Sequence, residues 1–500
     1  MRWGRKMLRN TSTAASGGSS LHIVFLLIAS LMLGFMVEDR NLPRLDGGDI
    51  ATVKMTYDQV ARERKTGLLK KAVLKTRVLR PAKRDIERPA AAHPSPRTTI
   101  ALANFYGALR GLDEGTRSEP VTILHLGDSH IASDRFSGDM RELLQARFGN
   151  AGRGMMMPGF PFGYYRARGV TFTKSPGWKA HNSLHKGNGP YGLSGVKMTA
   201  GNRGAWLQLA SKAGAFEWAD VAFLTGPKRG RVKTAVDNTT KTVSTRSETA
   251  GVLYERIPVK GTKLRLLLEG NGPVTILSLA VGASRPGVRY VNFGIPSATA
   301  SITGRWDDVI VSEDLKRLTP DLIVLGYGTN EGFNDELRRD VYERQMTEFI
   351  VKLQRLQPGA DVLVIGPPDG ARYPRKMRRD TKTAGLTGAG CRALSGDETK
   401  SYSKLVRSGD RRLARWHPPP KLAVVRSALK SAAANTGSYF WVWSCVMGGA
   451  CGIHDWVKAA PKLAASDHVH ITSAGSKQSA EALFTQLMAG FTAHRLVAQR

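Results

Sequence analysis

Val121–Gly149 reads VTILHLGDSHIASDRFSGDMRELLQARFG. A mostly apolar run enters Gly-Asp-Ser-His, and then Phe136, Met140, Leu143, Leu144 and Phe148 recur at helical spacing. The stretch is therefore strand, tight turn, helix, the opening unit of an α/β domain. It would present Ser129 at the carboxyl end of a strand, where open α/β sheets place their ligands. A helix N-terminus beside it carries the partial positive charge that can steady an oxyanion. Gly, Asp and Ser are also ordinary turn residues, so the motif needs partners elsewhere before it means more.

Working outward, a helical segment (TIALANFYGALRGL) leads into this unit. Between 156 and 285 helical periodicity gives way to short alternating runs such as AWLQLAS, GVLYERIPV and KLRLLLEG, punctuated by Gly, Asn and Thr. That pattern predicts an inserted antiparallel β-sandwich. Its Trp178, Trp206 and Trp218 are candidates either for the β-core or for stacking on sugar rings. From 286 to 500 the α/β pattern resumes: RYVNFG, DLIVLGYG and DVLVIGPP are apolar strands, GSYFWVWSCV is strand-like, and helical segments lie between and after them. Apolar strands alternating with helices imply a parallel sheet covered on both faces. The fold class expected is α/β, one domain formed by 99–155 and 286–500 and interrupted by the sandwich.

The chain has 500 residues with 74 Lys and Arg against 41 Asp and Glu, a net charge of +33. The excess is concentrated: residues 1–100 hold 19 basic against 8 acidic residues, and 371–421 hold 14 against 4. Aromatic residues are not interleaved with these clusters and no zinc-finger, RRM or homeodomain pattern occurs, which disfavours nucleic acid. Residues 1–20 read as a basic cytoplasmic tail and 21–37 as an uncharged apolar run, near the short end of the roughly 17–25 residues a spanning helix needs. Basic residues before it and Glu38-Asp39 after it place the N-terminus inside and the rest outside. No small-x-small site follows, so an uncleaved signal anchor is expected over a cleaved signal peptide. Residues 38–98 read as a basic Pro- and Ala-rich tether. Three cysteines fit an exported protein with at most one disulfide. Cys445 and Cys451 are the nearest pair, and Cys391 leaves two other pairings open.

A serine nucleophile needs a base, a group that orients the base, and oxyanion donors. SDHVHITSAGS supplies Asp467 and His470, three apart, just before the last helix. A carboxylate at that spacing can reach the same imidazole and fix its tautomer. LGYGTNEGF ends a buried strand with Asn330, whose amide can donate to an oxyanion.

Together, GDSH at Gly127–His130, Asn292 in VNFGIPSA, the YGTNE at Tyr327–Glu331 and Asp467-x-x-His470 resemble the SGNH, or GDSL-type, hydrolase superfamily in chain order. GDSHIASDRFSGDMRELLQARFG, YGTNEGFND and DHVHITSAGS, with the inserted β-region, look more narrowly like exported peptidoglycan O-acetylesterases of Gram-negative bacteria. Those proteins carry a carbohydrate-module-like sandwich at this place. The resemblance implies an SGNH-type three-layer α/β/α fold, Ser129 as nucleophile, His470 as general base and Asp467 as its partner. It implies an oxyanion hole made by the Ser129 N–H, the Asn330 side chain and a backbone N–H of Ser297, with Gly294 as second choice. The family has Gly five residues after the Asn of this block, where this chain has Ser297. Asp128 is expected to brace the turn, and His454, Asp455 and His468 are competitors passed over because Ile-Thr-x-x-Gly follows His470. No cofactor and no metal are expected. The partner implied is an O-acetylated glycan polymer, the location the inner membrane with the catalytic domain in the periplasm, and the oligomeric state is open.

Two rival readings remain at this point. Asp128-Ser129-His130 is also a D-x-H and suits a metal-dependent phosphoesterase, although Thr329-Asn330 stands where that family's Asn-His would be. A membrane-tethered binder of anionic wall polymers, with no enzymatic activity, would suit the charge and the sandwich.

Overall fold

The five strands of the parallel sheet are β1 (Val121–Gly127), β2 (Val288–Gly294), β3 (Leu322–Gly326), β4 (Asp361–Gly366) and β5 (Tyr439–Val442). Their order is β2-β1-β3-β4-β5, with every neighbouring pair parallel. Side chains alternate between faces along each strand. Leu124 and Leu126 of β1, Ile323 and Leu325 of β3, and Val362 and Val364 of β4 enter one core. Val121 and Ile123, Leu322 and Val324, and Leu363 and Ile365 enter the other. This is why these strands read as unbroken apolar runs rather than alternating ones.

Six longer helices cover the two faces: α1 (Ala103–Asp113), α2 (Phe136–Phe148), α3 (Asp308–Leu318), α4 (Arg339–Leu356), α5 (Pro420–Asn435) and α6 (Ser473–Ala498). Phe105 and Leu109 of α1, Met140 and Leu144 of α2, and Leu483 and Leu487 of α6 fill one core. Leu315 of α3, Ile350 of α4 and Leu429 of α5 fill the other. Local signals set the helix starts. Asp307 accepts from the N–H groups of Val309 and Ile310, both at 3.1 Å, and α5 opens on Pro420. A cap of that kind contributes about 1 kcal/mol.

This computed structural model describes residues 100–163, 165–373 and 390–498. The expected basic tail, apolar segment and tether at 1–98 lie outside these residues, as does the basic stretch 374–389. Among the described residues no helix is long and apolar enough to cross a membrane.

Between α2 and β2 the chain builds two antiparallel sheets. One has six strands: Gly154–Met156, Lys179–Asn182, Val196–Ala200, Trp218–Thr225, Gly251–Ile257 and Val274–Gly282. The other has five: Val170–Lys174, Trp206–Ser211, Arg231–Val236, Thr239–Ser244 and Lys263–Leu268. Val221, Phe223 and Ile276 of the first share a core with Leu207, Leu209, Leu264 and Leu266 of the second, so the sheets form a sandwich. The back of the six-stranded sheet is also covered: Ala222, Leu224 and Leu277 pack on Ile310 of α3. The Tyr254 hydroxyl adds a 2.7 Å hydrogen bond to Asp314 of the same helix. Val274–Gly282 is therefore buried throughout, whereas Arg231–Val236 alternates buried with exposed or half-buried residues.

The structure decides between the two readings of the tryptophans and changes two other expectations. Trp178 and Trp218 are buried, at 7% exposure each, and Trp218 lies under the guanidinium groups of Arg256 and Arg289. Arg265 covers Trp206 at 4.5 Å. These rings pack with protein groups and do not form a bare sugar platform. GSYFWVWSCV is extended only from Tyr439 to Val442, and Trp443–Val446 turns into a short helix. Cys451 pairs with Cys391, not with Cys445, with Cα atoms 5.7 Å apart. Helical turns wind up the short Cys445–Cys451 segment and leave Cys445 exposed, while Cys451, at φ 69°, begins the helix Gly452–Lys458. Proximity in sequence lost to the tertiary approach of a residue 60 positions away.

Candidate active site

Gly294, Gly127 and Gly326 stand side by side in register at the ends of β2, β1 and β3. A Cβ on Gly127 would lie 2.7 Å from the Gly326 carbonyl oxygen, and one on Gly294 would lie 2.6 Å from the Asp128 carbonyl oxygen. The row forms a bare shelf, and the one-turn helix Ser129–Ala132 lies across it. Asp128, 1% exposed, caps that turn by accepting from the His130 N–H at 3.0 Å. The Ser129 N–H sits at the first helical position, where helix geometry supplies no acceptor. Because β2 and β3 flank β1 on opposite sides, this is the sheet's topological switch point.

The turn is anchored from below by a buried polar cluster. Asp134, at φ 48°, accepts from Ser137 Oγ (2.9 Å), the Arg168 N–H (2.7 Å), Arg141 (2.7 and 3.3 Å) and Arg153 (3.2 Å). The same two arginines donate to Asn292 Oδ1 at 3.1 and 2.8 Å. Asn292 Nδ2 in turn donates to the Ile131 carbonyl oxygen at 3.1 Å.

The loop before α6 closes over the turn from the other side. Ser129 Oγ lies 3.0 Å from His470 Nε2, and His470 Nδ1 lies 2.7 Å from Asp467 Oδ2. Asp467 Oδ1 accepts from the Val469 and His470 N–H groups, both at 2.9 Å. Burial by itself would raise this carboxyl, but the hydrogen bonds from the His470 ring and the two N–H groups hold it down at about 2. An ionised Asp467 fixes the proton on Nδ1 and turns the Nε2 lone pair toward the Ser129 hydroxyl. Ser129 is half-buried and His470 exposed, so the pair lies at the protein surface.

Asn330 follows β3 on the short helix Thr329–Gly332. Its Nδ2 donates to the Ala298 carbonyl oxygen at 2.7 Å, which aims the amide at the 295–298 loop and leaves its second N–H available. Ser297 is the exposed tip of that loop and adopts φ 63°. This left-handed conformation favours glycine, and a serine there carries a steric cost but keeps its backbone N–H. Gly294 is a ladder residue beneath the turn, and its missing side chain is explained by that packing.

No family model and no curated protein matches the chain. Among solved structures, "Peptidoglycan O-acetylesterase in action, 5 min" aligns with a TM-score of 0.61, covering 78% of this chain and 96% of that one at 23% identity. The chain shares its fold with that structure. A family two carbohydrate esterase from Cellvibrio japonicus covers 65% of this chain and 98% of that one at 12% identity, with a TM-score of 0.25 that adds no weight.

Within this fold the three residues that competed with His470 and Asp467 stand outside the Ser129 series. His468 stacks on Trp416 at 3.6 Å and bonds His454 through a 2.9 Å Nε2–Nδ1 contact, and burial pushes it down to about 4. Asp455 is an exposed residue of the helix Gly452–Lys458. Several residues that shape the site were not singled out from the sequence. Asp134, Arg141 and Arg153 lack any local pattern that marks them as one cluster. Glu331 accepts from the Ala300 N–H at 2.8 Å and so links the Asn330 turn to the Ser297 loop. Burial, helped by nearby Asp128, pushes Glu331 up to about 7. Its place in YGTNE was the available signal. A hydroxyl, an imidazole and a carboxylate in hydrogen-bonded series, beside backbone and amide donors, can carry out acyl transfer.

Proposed function

We propose that this protein is a serine esterase that removes O-acetyl groups from a cell-envelope polysaccharide, with peptidoglycan as the substrate. The observation that carries the reading is the Ser129–His470–Asp467 series, with separations of 3.0 and 2.7 Å, on the switch point of the parallel sheet. The fold shared with a solved peptidoglycan O-acetylesterase supports the choice of polymer.

Ser129 Oγ attacks the acetyl carbonyl carbon as His470 Nε2 takes the hydroxyl proton. The resulting oxyanion is held by the Ser129 and Ser297 N–H groups and by Asn330 Nδ2. Collapse breaks the bond to the sugar oxygen, which receives the proton from His470. Water, activated by the same base, then attacks the acetyl-enzyme and releases acetate and free Ser129.

An inner-membrane anchor at 21–37 and a periplasmic catalytic domain complete the proposal. The Cys391–Cys451 disulfide is in keeping with an oxidising compartment. The phosphoesterase reading loses support from the geometry, because Asp128 and His130 of the D-x-H bond one another. The experiment is acetate release from O-acetylated peptidoglycan, with Ser129→Ala as control. Activity that survives Ser129→Ala sinks the mechanism. Retention of the polymer by wild-type protein without acetate release would favour the non-enzymatic binder.

A further inference from the structure

His130 follows the proposed nucleophile, yet its ring points away from solvent and is 4% exposed. Both of its nitrogens meet acceptors. Nδ1 lies 3.2 Å from Asp128 Oδ1, and Nε2 lies 3.1 Å from the carbonyl oxygen of Val469. A carbonyl can only accept, so Nε2 carries a proton. A neutral ring would then turn its Nδ1 lone pair onto a buried carboxylate, two acceptors facing each other without a proton between them. The ring is therefore an imidazolium, and Asp128 balances its charge. Burial opposes that charge, but the hydrogen bond and charge of Asp128, with the Val469 carbonyl, raise His130 above the ordinary histidine value.

Val469 immediately precedes His470. Asp467 organises this loop from within, but the His470 side chain is 49% exposed and has little packing to hold it. Besides the Ser129–His470 contact itself, two side chains tie the loop to the serine turn and the residues after it. Arg135 Nη1 donates to the Ile471 carbonyl oxygen at a long 3.3 Å, and His130 Nε2–H donates to Val469. The His130 ring also sits 5.6 Å from the His470 ring and meets Trp443 edge-on at 5.6 Å. Asp128, Asp134 and Arg135 on the turn side, and Asp467, His468 and His470 on the loop side, are the charged or titratable groups around it.

We propose that His130 is a positioning residue: a doubly protonated ring, held by Asp128, that clamps the Val469 carbonyl and thereby sets the distance from Ser129 to the base on His470. This rests on the reading of Ser129 and His470 as nucleophile and base. The clamp acts through geometry, since the Asp128–His130 pair adds no net charge beside the base. Displacing a base loop by about 1 Å costs on the order of 100-fold in rate.

Two substitutions separate the clamp from the brace. In His130→Gln the side-chain amide replaces Nε2–H and still reaches Val469, whereas in His130→Asn it replaces Nδ1–H and reaches only Asp128. Kinetics on a chromogenic acetate are expected to show His130→Gln within about fivefold of wild type. His130→Asn should lose about 10- to 100-fold in kcat with KM nearly unchanged. Equal losses in the two variants, or an unaffected His130→Asn, would overturn the clamp. Nitrogen-15 spectra of histidine-labelled wild-type protein at pH 7 give an arm that needs no variant to fold. Protons on both His130 nitrogens are expected, and a neutral ring refutes the proposal. The active-site reading fails separately, if a serine-directed phosphonate does not label Ser129 while the His130 spectrum is as expected.

Discussion

Replacing Asp134 with Asn tests whether the buried cluster under the serine turn holds the site in shape. The substitution is nearly isosteric, and Asn tolerates the φ of 48° at this position, so no backbone penalty confuses the result. What changes is charge and hydrogen-bonding sense. Asp134 accepts from four residues, and it is the carboxylate shared by Arg141 and Arg153, which are 4% and 7% exposed. Asn keeps one acceptor oxygen and turns an NH2 toward a set of partners of which the two guanidinium groups and the Arg168 N–H can only donate. Removing one partner of a buried ion pair costs about 3–5 kcal/mol. For a unit of roughly 400 residues, an unfolding entropy near 2 cal/mol/K per residue converts about 4 kcal/mol into a fall in Tm of about 5 °C. The pH dependence has a definite sign. Burial by itself would raise the Asp134 carboxyl, but Arg141, Arg153 and the hydrogen bonds outweigh it and leave it below the ordinary value. Its contribution is therefore complete above the unfolded carboxyl value of about 3.9, and is lost as pH falls through the lower folded value. The gap between wild type and Asp134→Asn should be constant from about pH 5 to 8 and close only in acid. Thermal and urea unfolding followed by tryptophan fluorescence give the gap, and kcat on a chromogenic acetate should fall about tenfold as the Ile131 carbonyl loses its fixed support. A Tm within 1 °C of wild type at pH 7 would show that the two arginines manage without Asp134, and the cluster would lose its assigned role.

Further outcomes follow from the site and the disulfide. Asn330→Ala should lower turnover about 100- to 1000-fold at similar KM, the cost of one oxyanion donor, and an unchanged rate removes Asn330 from the hole. Asp467→Asn should reduce kcat by about 1000- to 10,000-fold while leaving the fold intact by circular dichroism, because an amide no longer enforces the Nδ1–H tautomer; a loss below tenfold would contradict that role. Breaking Cys391–Cys451 by Cys391→Ser should cost up to about 4 kcal/mol for a loop of 60 residues, whereas Cys445→Ser should shift stability by less than about 0.5 kcal/mol. Alkylation of unreduced protein followed by mass spectrometry should label Cys445 alone, and label on Cys451 would refute the pairing.

Much of the fold could be read from patterns confined to short windows. The apolar strands around Ile123, Ile323 and Leu363 and the 3.6-residue stripe of Phe136–Phe148 announced a covered parallel sheet, because strand and helix periodicity is local. Short strands with turn residues between them announced the sandwich for the same reason. Trp443 was misread as strand because the apolar run continues past the point where the backbone turns, and burial does not distinguish the two conformations.

The sequence by itself determined that Ser129 ends a strand and opens a helix, and that an acid and a histidine three apart precede the last helix. Both are local arrangements of a few residues. Tertiary structure decided what those residues meet. The glycine shelf joins positions 127, 294 and 326, which become neighbours only when β1, β2 and β3 pair in register. The contact of His130 with Val469 spans 339 residues, and that of Ser129 with His470 spans 341. Cys451 found Cys391, not the closer Cys445, because its direction is set by the helix it begins. Hydrogen bonds and disulfides depend on distance and direction in space, and a chain's order along its length fixes neither until the sheet has formed.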